Sequence, residues 1–179
     1  IPIDDLAKPE IQERLRAIWT KPLSLDPAKT TAEVTQAIAQ LLALLSKSLE
    51  RRGYNAGAVA AFLMRCLFTM FAEDVGLLRE KSFEALLEKF RGKAHELHHA
   101  LPHLWKEMND GGFSPTLGEK ILKFNGGLFR DASAIPIDEQ DLEWLLLAAR
   151  RKWTNVEPAI FGTLLERALD EKERHKLGA

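Results

Sequence analysis

The stretch from Asn55 to Val75 constrains this fold more than any other, because Val59, Phe62, Leu63, Met64, Cys66, Leu67, Phe68, Met70 and Phe71 cover most of a helix's circumference. A helix that is apolar nearly all round has to be enclosed by other elements. Asn55 can cap its start and Gly76 can close its end. At 179 residues the chain is long enough to build that enclosure as one domain.

The flanking segments have the periodicity of helices that would do the enclosing. Pro9 stands at a favourable first-turn position, and Ile11, Leu15, Ile18 and Trp19 follow at helical spacing until Pro22. Thr30 with Glu33 makes a capping-box pattern ahead of a stripe of Val34, Ile38, Leu41, Leu42, Leu45 and Leu49 that ends at Gly53. Ser82 can cap a helix through Phe83, Leu86, Leu87 and Phe90, with Gly92 separating it from Leu97, Leu101, Leu104, Trp105 and Met108. Pro102 predicts a kink or restart there. Asp138 caps a helix bearing Leu142, Leu145, Leu146 and Ala149, and Thr154 with Glu157 repeats the capping-box pattern before Ile160, Phe161, Leu164, Leu165 and Leu169.

Between Asn109 and Pro136 the periodicity fails, and Asp110-Gly111-Gly112, Ser114-Pro115 and Asn125-Gly126-Gly127 punctuate short apolar pieces. The expectation is an all-α fold, an irregular bundle of about seven helices, with one ordered glycine-rich loop over roughly 109–136 that has room for a small hairpin. Asn125-Gly126-Gly127 is read as a tight turn placing Phe124, Leu128 and Phe129 on the core.

Charge and cysteine usage narrow the function classes. A net charge of −1 rules out a wholly basic, nucleic-acid-clasping surface, so any DNA contact has to be local. The single cysteine, Cys66, lies in the apolar run and reads as a buried structural thiol in a reducing compartment. No uninterrupted apolar run approaches the ~18 residues of a bilayer span, and no signal segment opens the chain, so a soluble, cytoplasmic protein without membrane partners is expected. Starting at Ile1 and ending at Ala179, the sequence reads as a piece of a longer protein.

Groups able to do chemistry are few. The glycines never fall as Gly-x-Gly and no two prolines adjoin, so neither a cofactor-cradling turn nor a polar-Pro-Pro-aromatic loop is present. Asp170-x-Lys172 has the spacing of a nuclease pair but sits in a charged run that reads as a solvated face. His95, His99 and His103 recur at i, i+4 and i+8 with His98 beside them; three on one straight helix cannot converge on one ion, although a tetrad with Glu96 or Glu107 stays open. Glu73-Asp74 could be a buried acidic pair or carboxylates fixing the following turn, with Arg65 as their natural partner. Arg51-Arg52 and Arg150-Arg151-Lys152-Trp153 are local positive spots. Cations in a last helical turn suit the macrodipole, and Arg150, Arg151, Lys152 and Trp153 are the candidate DNA contact. No residue is assigned a catalytic, cofactor-binding or metal role.

Several long words then converge on one family. Glu13-Arg14-Leu15-Arg16-Ala17-Ile18-Trp19, Leu23-Ser24-Leu25-Asp26-Pro27, Phe62-Leu63-Met64-Arg65-Cys66-Leu67-Phe68-Thr69-Met70-Phe71-Ala72-Glu73-Asp74-Val75-Gly76-Leu77-Leu78, Phe124-Asn125-Gly126-Gly127-Leu128-Phe129-Arg130-Asp131, Pro158-Ala159-Ile160-Phe161-Gly162-Thr163-Leu164-Leu165-Glu166-Arg167 and Arg174-His175-Lys176-Leu177-Gly178-Ala179 occur in order. Together they resemble the helical spacer of MmeI-like DNA adenine methyltransferases of type II restriction-modification systems, class I enzymes dependent on S-adenosylmethionine. The resemblance implies a spacer domain over 1–169 and a charged tail over 170–179 leading into a methyltransferase domain that lies beyond Ala179. It implies a non-catalytic connector without a cofactor of its own. The partners implied are the flanking methyltransferase and nuclease domains of the same polypeptide, with DNA reached through a parent protein that uses S-adenosylmethionine. Two other readings of the residues remain beside it. One is a DNA- or protein-binding helical module using Arg150 to Trp153, and the other a metal-dependent hydrolase using His95 to His103.

Overall fold

A computed structural model describes residues 27–124 and 126–156, together with isolated positions on either side. The helix read from Pro9 to Trp19 falls largely outside the described residues, and the helix after Glu157 and the tail over 170–179 fall there too. Among the described residues the element order is α1 (Pro27–Arg51), α2 (Ala56–Asp74), α3 (Ser82–Glu88), a 3-10 turn (Ala94–Glu96), α4 (Leu97–Asp110), β1 (Gly112–Ser114), β2 (Glu119–Ile121), α5 (Glu139–Ala149) and a 3-10 turn (Trp153–Asn155).

Helix α2 is the central element. Asn55 caps it, its side chain accepting from the backbone N–H of Gly57 at 2.8 Å and of Ala58 at 3.4 Å. Val59, Phe62, Leu63, Cys66 and Leu67 are each 0% exposed, so the all-round apolar pattern is realised as all-round burial. Removing side chains of this size from water contributes about 1.5–3 kcal/mol each. By length and composition α2 could cross a bilayer, although the sequence contains no uninterrupted apolar run of that length; most of it is buried inside this fold. Cys66 is enclosed with it, and burial pushes its thiol pKa up to about 12.

Helix α1 lays Ile38, Leu42, Leu45 and Leu49 on the core, the stripe that the periodicity predicts. It starts at Pro27 rather than at a Thr30 cap. Proline is pre-set for a first helical position, which moves the start back by most of a turn. Helix α5 packs most extensively against α1 and also against α3. Its start is the predicted one: the Asp138 side chain accepts from the Asp141 N–H at 2.9 Å, and the Asp141 side chain accepts from the Asp138 N–H at 3.2 Å. Arg52, just past the end of α1, pairs with both carboxylates, at 3.8 Å from Asp138 and in close contact with Asp141, whose side chain is 0% exposed. That pairing brings the start of α5 to the end of α1, from which α5 runs back along it.

Three boundaries differ from expectation. The residue before α3 is Lys81, at φ 61°, and Ser82 is inside the helix with its buried hydroxyl unpartnered among the described residues. Glu73, at the end of α2, lies close to the start of α3, where the backbone N–H groups of Glu84 and Phe83 partly oppose the rise in its pKa that burial causes. The Gly92–Met108 segment divides into a 3-10 turn and α4, and α4 continues through Pro102 to Asp110 as one helix without a restart there.

The region is mostly helical but not clearly all-α; five α-helices stand among the described residues, and two of the about seven expected, after Pro9 and after Thr154, lie largely outside them. Inside the glycine-rich loop, β1 and β2 form a two-stranded antiparallel sheet with Gly112 opposite Ile121, Phe113 opposite Lys120 and Ser114 opposite Glu119. The hairpin is anchored by Glu107 of α4, which accepts hydrogen bonds from the hydroxyls of Ser114 and Thr116. The Phe124 N–H donates to the Met108 carbonyl at 2.9 Å and ties the returning strand to the same helix. Gly126 and Gly127 have φ 105° and 77°, and beyond them Phe129 is buried while Phe124 and Leu128 pack at the core's edge, as the turn reading expects.

Gly111 is where the hairpin departs from α4. Its φ is 73° and its ψ 173°, and a Cβ there would lie 2.9 Å from the Lys123 backbone nitrogen. Gly111→Ala is expected to destabilise the protein by about 2 kcal/mol, because this backbone region is essentially restricted to glycine. Urea unfolding checks this, and an unchanged midpoint would contradict it.

Candidate functional site

The buried polar groups of the core are arranged as latches. Arg65, on α2, is 4% exposed. Its Nη2 donates to the Ser133 carbonyl at 2.8 Å and to the Ser133 hydroxyl at 3.3 Å, its Nη1 lies 3.9 Å from Asp131, and its guanidinium sits 5.1 Å from the centre of the Trp105 ring. Burial pulls the guanidinium pKa below its ordinary value while Asp131 pushes it back up. Asp131 is held below the usual carboxylate range chiefly by the Ser133 N–H. Arg65 therefore serves the end of the glycine-rich loop and does not partner Glu73 or Asp74. Next to it, Thr69 donates to the Arg65 carbonyl at 2.7 Å and accepts from the Trp105 indole N–H at 3.2 Å.

Glu73 and Asp74 have separate structural duties. Asp74 accepts from the backbone N–H groups of Trp153 at 2.5 Å and Thr154 at 3.2 Å. It thereby fixes the turn after α5. Glu73 is 8% exposed, with Oε1 unpartnered among the described residues, and its pKa is raised to about 7, mainly by burial. The Glu84 and Phe83 N–H groups oppose that rise, and the nearby Glu84 and Asp74 charges add to it.

The candidate DNA contact divides in two. Arg150 is engaged by Glu84 at 2.9 Å and by Glu88, both on α3. Trp153 is 1% exposed, with its indole N–H donating to the Ala148 carbonyl at 3.1 Å, so its ring belongs to the core. Arg151 and Lys152 are exposed. Of the other positive spot, Arg51 lies on the surface with Nε near the Lys47 carbonyl at 3.4 Å, and Arg52 holds the start of α5.

The histidines do not share one helical face. His95 lies in the 3-10 turn, with its carbonyl against Nδ1 of His98; His98 and His99 have ring centres 3.8 Å apart. His103 is exposed on α4, and of the two alternative ligands Glu96 lies in the 3-10 turn while Glu107 is occupied by Ser114 and Thr116. Among the described residues no group of three or more His, Cys, Asp or Glu side chains is placed to hold a metal ion. The Asp170-x-Lys172 pair lies outside the described residues.

Sequence reasoning missed the structural roles of three carboxylates that organise the fold: Asp141 at Arg52, Glu107 under the hairpin, and Glu139, which accepts from the Gly92 and Ala94 N–H groups at 3.0 and 2.7 Å. The capping position of Asp141 is the one signal that could have flagged any of them.

The Glu73 environment sets a pH dependence. Its folded pKa of about 7 exceeds the ordinary 4.5, so the folded state holds the proton more tightly than the unfolded state. The contribution to stability is complete below pH 4.5 and is lost as pH rises through about 7. Its upper bound is about 3 kcal/mol. Glu73→Gln is expected to flatten this part of a stability-versus-pH curve and to be the more stable protein at pH 8. A slope between pH 5 and 7 equal to that of the unsubstituted protein would contradict the assignment.

Neither a curated protein nor a solved structure matches the chain. Residues 57–129, which take in nearly all of α2, then α3, α4, the hairpin and the loop to Phe129, match the family model of the MmeI helicase spacer domain. On that match, this central region is identified as similar to the spacer region of MmeI-like restriction-modification enzymes.

Proposed function

We propose that this chain is a non-catalytic helical spacer of a larger restriction-modification protein, holding its methyltransferase, nuclease and target-recognition parts in register on DNA. The observation that carries the reading is the match of residues 57–129 to the MmeI helicase spacer domain. The geometry supports it because charged groups that attract attention in the sequence, Arg65, Asp74, Arg52 and Arg150, are spent on joining one element to another. In this reading the parent protein transfers a methyl group from S-adenosylmethionine to adenine in DNA, and the cofactor pocket and target-base loop belong to its methyltransferase domain.

A second reading, a binding module that touches DNA from the end of α5, is favoured by the exposure of Arg151 and Lys152. It now rests on those two cations, since Arg150 is paired and Trp153 is buried.

The spacer reading predicts no S-adenosylmethionine binding by calorimetry and no methyl transfer to DNA by the 179-residue chain. Turnover at a rate near that of a complete methyltransferase would overturn it.

A further inference from the structure

Phe113 and Leu122 are the most exposed large apolar side chains among the described residues, at 69% and 63%. The strand register puts them on one surface: Phe113 lies opposite Lys120, and Leu122 follows Lys120 by two residues. The other face of the hairpin is fully employed, with Ser114 bonded to Glu107, Ile121 buried and Glu119 3.5 Å from Arg79. A half-buried hairpin ordinarily turns its large apolar residues inward. This one turns a serine and a glutamate inward beside Ile121 and presents a phenylalanine and a leucine to water.

The charges around the face indicate what covers it. Lys120 stands between the two apolar side chains and Lys123 is exposed just beyond. The nearby carboxylates are committed elsewhere, Glu107 to Ser114 and Thr116 and Glu119 to Arg79, while Asp110, at the foot of the hairpin, has Oδ1 bonded by the Asn109 amide at 2.9 Å. An apolar protein partner would strip water from the Lys120 ammonium without supplying a counter-charge, which is costly. An unpaired nucleotide offers a flat base for the ring and a phosphate for the ammonium. A duplex keeps its base faces stacked and out of reach.

We propose that the outward face of this hairpin, Phe113, Lys120 and Leu122 with Lys123 beside it, binds single-stranded nucleic acid. One base stacks on Phe113 and the adjoining phosphates meet Lys120 and Lys123. The inference rests on the spacer reading only in taking DNA as the nucleic acid.

The test uses the full chain and a fluorescently labelled single strand of about 15 nucleotides, within the site sizes of such stacking platforms. Its affinity is followed by anisotropy across a salt series beside the matching duplex. The single strand is expected to bind more tightly than the duplex. Phe113→Ala is expected to weaken it about ten-fold, the loss of one stacked base. Lys120→Gln is expected to lower the slope of log affinity against log salt by about 0.7, the loss of one phosphate contact. Both side chains are exposed, so the thermal midpoints of the variants stay in place. Absence of binding at low salt overturns the proposal, as does equal affinity of the Phe113→Ala variant and the unsubstituted chain. A loss confined to Arg151→Gln with Lys152→Gln assigns the contact to the end of α5 and also overturns it. A Phe113→Ala variant that changes self-association and leaves oligonucleotide affinity alone assigns the face to protein contact and overturns it as well. None of these outcomes depends on methyl transfer, so failure here is distinguishable from failure of the spacer reading.

Discussion

Helix α2 can exist only inside something, and the rest of the structure follows from that constraint. Its apolar surface extends nearly all the way round, so α1, α3, the indole of Trp105 on α4, and Trp153 after α5 all close over parts of it. Enclosure presses the polar groups that α2 carries to find partners within the fold, although Glu73 Oε1 and Arg65 Nε stay unpartnered among the described residues. Thr69 takes the Trp105 indole N–H, Arg65 takes the Ser133 carbonyl, Asp74 takes two backbone N–H groups, and Glu73 faces the start of α3. Each of those partners lies on a different segment, so the groups that α2 must satisfy also fasten the fold.

A second set of contacts sets α5 against its neighbours. Arg150 reaches Glu84 and Glu88 at one end, Arg91 bridges Glu88 at 2.6 Å and Glu143 at 3.1 Å, and Arg52 holds Asp138 and Asp141 at the other end. The exposed pairs contribute little each, on the order of 0–1 kcal/mol. Arg52 with Asp141 differs, because removing the cation would leave a buried carboxylate uncompensated. The value of these pairs lies in specifying how α5 sits on α1 and α3.

Much of this was legible in the sequence wherever the signal is local. The α1 stripe, the all-round burial of α2, the caps at Asn55 and Asp138, and the turn at Gly126-Gly127 follow from spacing and backbone chemistry. Partners chosen by tertiary packing were not legible. Arg65 and Ser133 are 68 residues apart and Asp74 and Trp153 are 79 apart, and periodicity carries no information about such pairs. The same limit explains why Trp153, set beside three cations in sequence, reads as a surface aromatic while its ring lies in the core. The start of α3 was missed for a local reason: Lys81, in the left-handed region, precedes the helix and Ser82 lies inside it. The outward face of the hairpin was hidden for a different reason: in three-residue strands, alternation alone does not say which side meets the protein.

The central claim is that the described region is one cooperative unit held together by α2. Native-state hydrogen exchange of the full chain tests it most directly. The account predicts that amides in the middle of α1, α2 and α5 exchange only through the same global opening, with a common free energy and a common response to denaturant. Exchange of α1 or α5 through a separate, lower-energy opening while α2 stays protected would contradict it.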